Sequence, residues 1–237
     1  MNRASCLSLA LVVATALVAV RAPARAQDFD DLLVERRQIE SPERFALELR
    51  IGPYTPDMGT NAAFTDTFGD ATGPLLAAEI DVLVWHIPYV GPIGIGAGFG
   101  YVGYSASAFS MGTNTRVTET TDLSLYPLSL LGVLRVDVLS RQLHIPFVFT
   151  GKLGVDYVLW SSDKGSTSQG SGGSFGLRWG LQVAFELDFF DRRAARSLDE
   201  EWGINHSWLF FEGYGSMADS SLPVGDTTWA AGLGFTF

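Results

Sequence analysis

The chain has 237 residues, 16 of them basic and 26 acidic, for a formal net charge of −10. Only 18% are charged, against about 25% in an ordinary soluble domain, while 47% are hydrophobic and 26 are glycine. These figures exclude a disordered chain, a binder of nucleic-acid phosphates and, with one cysteine, a disulfide framework.

Residues 1–26 read as a cleaved secretory signal. Arg3 supplies a positive start, and Leu7 to Val20 is uncharged and apolar. Ala24 and Ala26 then form an A-x-A-like cleavage site. The apolar stretch is about 14 residues, short of the ~20 that span a bilayer as a helix. Cys6 precedes that stretch, so it is not a lipid-bearing first mature residue. Cleavage removes Arg3, Arg21 and Arg25 and no acid, which moves the charge to −13 and leaves no cysteine. Residues 27–43 carry Phe29, Leu32, Leu33 and Arg36 at helical spacing. They are expected to form a short periplasmic helix or tether.

From residue 44 the period becomes two, as in strands whose side chains alternate between faces. Phe45, Leu47, Leu49 and Ile51 alternate with Ala46, Glu48 and Arg50. Leu76, Ala78, Ile80, Val82 and Val84 alternate with Ala77, Glu79, Asp81 and Leu83. Ile93, Ile95, Ala97, Phe99 and Tyr101 alternate with Gly94, Gly96, Gly98 and Gly100. Tyr126, Leu128, Leu130, Leu134 and Val136 alternate with Ser129, Leu131, Arg135 and Asp137. Phe147, Phe149, Leu153, Val155 and Tyr157 alternate with Thr150, Lys152, Gly154 and Asp156. Phe175 to Leu187 alternates in the same way with Gly176, Arg178, Gly180, Gln182, Glu186 and Asp188. Ser207, Leu209 and Phe211 against Trp208, Phe210 and Glu212 is the weakest case, and Trp229 to Phe237 is the last. Prolines and period-two glycines between Val82 and Thr115 oppose a transmembrane helix there.

The expected connections alternate in length. Pro53–Pro74, Ser105–Thr121, Ser161–Gly173 and Ser216–Asp226 are long and polar, while Pro88–Pro92 and Ser140–His144 are tight. Asp191–Trp202 breaks the rule and reads as a helix on the short side, N-capped by Asp191. Its Ala194, Ala195, Leu198 and Trp202 share one face.

Long loops on one side and short turns on the other suit a transmembrane barrel. The charged face is also the glycine face, as the narrow interior of an eight-stranded barrel requires. The expected fold is therefore an all-β, eight-stranded, antiparallel up-and-down barrel over residues 44–237, with both termini periplasmic. Its expected lumen holds Glu48, Arg50, Glu79, Asp81, Arg135, Asp137, Lys152, Asp156, Arg178, Glu186, Asp188 and Glu212. Buried charges must pair, so these form a candidate network, with four acids in excess.

Trp229, Ala231, Leu233, Phe235 and Phe237 alternate up to the final residue. This strand resembles the C-terminal assembly signal of bacterial outer-membrane proteins, which implies recognition by the outer-membrane insertion machinery. The mature chain is also similar to a family of uncharacterised outer-membrane β-barrel proteins known from myxobacteria. The stretches that carry the likeness are Arg44–Tyr54, Leu125–Leu131, Lys152–Tyr157, Glu201–His206 and Val224–Trp229. The resemblance implies fold and location and brings no activity.

Candidate chemistry is sparse. His86 and His144 have no Cys or His at metal-ligand spacing. Some eight-stranded outer-membrane barrels deacylate lipid A with a His/Ser pair two residues apart. His206 and Ser207 are adjacent, so on a strand they face opposite ways. Asp57, Asp66, Asp70 and Asp163 are expected to be solvated loop acids, with divalent cations bridging lipopolysaccharide as the other reading. The expected role is structural or adhesive, with no enzyme activity and no cofactor. Expected partners are outer-membrane lipids, lipopolysaccharide and the insertion machinery, with no nucleic acid, for a monomeric barrel. A narrow pore and an outer-leaflet lipid enzyme are the rivals.

Overall fold

The computed structural model describes residues 43–56, 72–109, 116–164, 167–190, 192–218 and 227–237. Eight strands succeed one another: β1 (Phe45–Tyr54), β2 (Gly73–Ile87), β3 (Gly91–Phe109), β4 (Arg116–Val136), β5 (Phe147–Lys164), β6 (Thr167–Glu186), β7 (His206–Ala218) and β8 (Thr227–Thr236). Each pairs antiparallel with its sequence neighbour, and β8 pairs with β1 to close the barrel. Two short helices, α1 (Val138–Leu143) and α2 (Arg192–Trp202), lie in the β4–β5 and β6–β7 connections.

The alternation decides which way each side chain points. In β1, Ala46, Glu48, Arg50 and Gly52 are buried, while Phe45, Leu49 and Ile51 are exposed. In β6, Gln182 and Arg178 are buried, while Phe175, Leu177, Leu181 and Val183 are exposed. Among the described residues 35 large apolar side chains are exposed and only 16 apolar residues are buried. A water-soluble barrel shows the reverse. The outward apolar run from Phe175 to Phe185 spans about 25 Å of height at a tilt of ~45°. Aromatic clusters lie near both limits of that belt. Phe147, Phe185, Phe189 and Phe190 interlock near the end where the start of β1 meets Phe237, which we call the terminal rim. Phe99, Tyr101 and Tyr126, together with Phe211 and Trp229, lie toward the opposite, distal rim.

The terminal rim is made of local turns. Tyr89 takes a positive φ of 62° between β2 and β3, and Gly91 follows at 140°. At Gly91 a Cβ would strike the Arg135 carbonyl, so only glycine fits. α2 ends at Gly203 (φ 69°), whose N–H bonds the Asp199 carbonyl while Ile204 N–H bonds that of Leu198. The Gly203 N–H bond to the carbonyl four residues back is that of the αL cap.

Three expectations need correction. The connection Ser140–His144 is not a bare tight turn, because α1 occupies Val138–Leu143 and ends on left-handed His144. The segments Ser105–Thr121 and Ser161–Gly173 are largely strand: β3 runs to Phe109, β4 starts at Arg116, and β5 and β6 reach Lys164 and Thr167. β4 has 21 residues, about 70 Å of chain. Above the apolar belt neither face needs to be apolar, so pairing continues there without the alternation that marks it lower down. The expected tether at 27–42, the signal at 1–26 and the cap at Asp191 lie outside the described residues.

Candidate functional site

The lumen is layered along β1. Ala46 belongs to a buried apolar cluster near the terminal rim with Val148, Ala184, Trp208 and Phe210. Tyr54 belongs to a second one toward the distal rim, with Leu75, Val102, Tyr104, Leu123, Leu125 and Val158. Between them come Glu48 and Arg50, which open the charged layer.

That layer is a five-membered network drawn from four strands. The Arg50 guanidinium lies 2.7 Å from Glu48, 3.0 Å from Glu79 and 3.0 Å from Glu212. Lys152 Nζ lies 2.5 Å from Glu48, 2.6 Å from Glu79 and 3.6 Å from Glu212. Gln182 Nε2 donates to the second Glu48 oxygen at 2.9 Å. All of these residues are less than 5% exposed. Each carboxylate thus sits between two cations, the condition under which buried charge is tolerated.

Backbone register explains how such large groups fit. Glu48 and Arg50 face Gly234 and Gly232 on β8. Glu79 and Asp81 face Gly98 and Gly96 on β3. Lys152, Asp156 and Arg178 face Gly180, Gly176 and Gly154 across the β5–β6 pair. The β7 aromatics use the same openings, with Trp208 opposite Gly234, Phe210 opposite Gly232 and Tyr214 opposite Gly180. A Cβ on Gly232 would come within 2.7 Å of the Phe210 ring. A lumenal cavity beside Arg50, Glu79, Ser129 and Arg178 has a volume of about 10 Å³, room for about one water.

Not all the expected members join this network. Arg135 lies over the Trp208 ring (4.1 Å) and Arg178 over Tyr214 (4.4 Å), each a cation–π contact. Arg50 also approaches the Phe210 ring, at 5.8 Å. Asp156 accepts from Ser216, and Asp81 lies buried beside Gly96. Asp137, Glu186 and Asp188 are corrected to the terminal rim. Asp137 binds Arg141, Glu186 accepts from Ser140, and Asp188 binds His206 and Ser207. These three stand where strands give way to turns, so the alternation placed their side chains on the right face but at the wrong depth. With these three set aside, Asp137 being buried but bound to Arg141, the acids left deeper in the lumen are Glu48, Glu79, Asp81, Asp156 and Glu212 against Arg50, Arg135, Lys152 and Arg178, and the excess falls from four to one.

The rim cluster ties the start of β1 to two other connections. Arg141 donates from Nε to Asp137 (2.7 Å) and from Nη2 to Glu43 (2.5 Å). His206 Nε2 lies 3.3 Å from the same Glu43 oxygen, and its Nδ1 lies 2.6 Å from Asp188. Burial opposes ionisation of Glu43, but the His206 hydrogen bond and the Arg141 and His206 charges outweigh it. Its pKa falls from 4.5 to about 2. A depressed folded pKa contributes stability above the unfolded value that is lost as pH falls through the folded one. The native chain should therefore lose on the order of 3 kcal/mol of stability as pH falls from 4.5 to 2, and Glu43→Gln should flatten that part of a stability-versus-pH curve.

The same geometry bears on hydrolase chemistry. Ser207 donates both its hydroxyl (3.2 Å) and its N–H (3.3 Å) to Asp188. His206 presents one nitrogen to Asp188 and the other to Glu43. The serine-to-imidazole bond that activates a nucleophile is not made. Among the described residues, no group of three or more His, Cys, Asp or Glu is placed to hold a metal ion. Asp57, Asp66 and Asp70 lie outside those residues, and Asp163 is exposed near the tip of the β5–β6 hairpin.

No protein-family model and no curated protein matches the chain. Among solved structures it is similar to Ail, the attachment invasion locus protein of Yersinia pestis, in complex with the heparin analogue sucrose octasulfate. That likeness has 12% identity over 82% of this chain and 97% of that one, with a TM-score of 0.44. Neisserial surface protein A is similar at 12% identity over 81% and 97%, with a TM-score of 0.49. A major outer membrane protein from Thermus thermophilus is similar at 12% over 81% and 99%, with a TM-score of 0.39. None of these bears on the resemblance to the myxobacterial barrels.

β8 carries the expected assembly residues in register. Trp229, Ala231, Leu233 and Phe235 pair with Gly213, Phe211, Leu209 and Ser207 of β7. Phe237 closes the seam, since its N–H bonds Phe45 O while its carbonyl accepts from Arg44 and Phe45. The alternation of β7 did not reveal the lumenal aromatics as partners of the arginines. The signal was there in the glycines of β8, spaced two apart as Trp208 and Phe210 are on β7.

Proposed function

We propose that the chain is an integral outer-membrane β-barrel with a side-chain-filled lumen and a structural or surface-interaction role. On this reading both termini are periplasmic, and the distal rim faces outward. The observation that carries it is the inverted distribution of side chains: a closed barrel with an exposed apolar belt and a paired, charged interior. Only a closed sheet satisfies its own backbone in lipid. Two apolar layers with charge between them oppose free passage of solutes, which argues against a pore. The arrangement of Ser207 and His206 argues against a serine hydrolase. Outer-membrane lipids and lipopolysaccharide would surround the belt, and the insertion machinery would read β8.

Membrane fractionation with gel mobility before and after boiling tests the barrel. Recovery in the outer-membrane fraction and a heat-dependent shift are expected, and a soluble protein without a shift would overturn the reading. In planar bilayers the folded protein should give no steady single-channel openings. A stable conductance would refute the filled lumen.

A further inference from the structure

α2 finds little cover in its own chain. It packs on the 3-10 turn Leu187–Phe189 and on β7, yet none of its described side chains is buried. The helix is strongly amphipathic, and the apolar face set by its spacing ends on Trp202. On that face Ala195 and Leu198 are half-buried, while Trp202 is 69% exposed. An apolar face left this open is a contact surface, and its surroundings say what it meets.

The apolar belt runs into the helix. Phe147, Phe185 and Leu209 form one row across β5, β6 and β7. From Phe185 the aromatic contacts continue to Phe190, at 5.4 Å between ring centroids, and from Phe190 to Phe189 at 6.1 Å. Phe189 and Phe190 are both exposed. The outward apolar face thus passes beyond the end of β6 to within two residues of α2. At its other end α2 leads through Gly203 into β7, whose Leu209 is exposed in the same row. Charge narrows the partner further. Arg192, Arg193 and Arg196 balance Asp199, Glu200 and Glu201, so the helix is neutral and offers no net attraction to a charged partner. Polar on average, with one apolar face ending in tryptophan, it has the makeup of a helix that lies in a bilayer interface. Tryptophan favours the headgroup level there.

We propose that α2 is an interfacial anchor, whose Ala195, Leu198 and Trp202 face docks on the lipid surface at the terminal rim as a continuation of the belt. The occupant is the boundary between headgroups and acyl chains. This rests on the outer-membrane reading, which puts lipid against Phe185 and Leu209. Because the helix carries no net charge, a zwitterionic bilayer is enough.

The test uses the folded full-length protein in phosphatidylcholine vesicles whose acyl chains carry bromine either near the headgroup or near the chain end. Tryptophan fluorescence is compared with that of Trp202→Phe, so the difference isolates Trp202 from the other five tryptophans. Bromine near the headgroup should quench that difference at least threefold more than bromine near the chain end. Iodide in the water should quench it at least threefold less than free tryptophan. Trp202→Glu should speed amide hydrogen exchange in α2 at least tenfold with the heat-dependent gel shift intact. Trp202 is exposed in the protein itself, so that loss reports the lipid contact. Full quenching by iodide with no effect of bromine, in a barrel that still shows the gel shift, would overturn the anchor. Protection from both quenchers would also overturn it, and protection that fades as the protein is diluted in lipid would mark a second copy as the cover. A need for anionic phosphatidylglycerol would overturn the neutral surface. Loss of the gel shift in the unmodified protein would count against the membrane reading, a separate result.

Discussion

Arg50→Ala should lower barrel stability by about 3–5 kcal/mol, the range for breaking a buried ion pair from one side. The reason is local. Arg50 lies within 3.0 Å of Glu48, Glu79 and Glu212, and alanine leaves three buried carboxylates with Lys152 alone. Urea unfolding in lipid vesicles, followed by tryptophan fluorescence, measures the loss. A control separates lost packing from stranded charge. Arg50→Met with Glu212→Gln removes one charge of each sign and should recover part of the stability. If the double variant is no better than Arg50→Ala, the network is not what holds this layer. The effects of Arg50 and Lys152 should also be non-additive, because they share three partners.

Leu181→Arg carries the second large effect, and its sign separates two kinds of protein. Leu181 points outward and is 67% exposed. On a barrel in water, a charge there would change stability by no more than about 0.5 kcal/mol. In a bilayer, arginine near the midplane of a barrel's lipid face costs about 2–4 kcal/mol. Unfolding of the variant in vesicles should show that loss. Arginine at Tyr89, exposed in the turn at the terminal rim, should cost about 0–1 kcal/mol, the interfacial value. Equal and small effects at both positions would contradict a lipid-facing belt.

Much of the barrel was legible because a strand with an apolar outer face and a polar inner one writes its two faces alternately into the sequence. Phe45 to Ile51 and Phe175 to Phe185 needed only the period of two to be oriented. Legibility stopped where that contrast stops. Above the belt both faces of β3–β6 meet polar surroundings, so Ser161–Gly173 carries loop-like composition although backbone pairing runs through it. At the terminal rim the period still set the face but not the depth, which is why Asp137, Glu186 and Asp188 stand at or just past the strand ends. Within the lumen, residue type alone does not tell who meets whom. Lys152 and Glu48 are 104 residues apart, and the stagger of a closed barrel, not spacing, brings them together.

The charged layer also bears on how such a barrel is made. Arg50, Glu48 and Glu79 can meet within the β1–β2 hairpin alone, whereas Lys152 on β5 and Glu212 on β7 reach them only across the closed lumen. A half-built sheet therefore leaves Lys152 and Glu212 without those partners. On the membrane reading, entering lipid before closure would carry both charges into hydrocarbon uncompensated, which couples insertion to closure. Reopening the barrel would part both from Arg50, Glu48 and Glu79 together, so the native state should be lost slowly even where its net stability is modest.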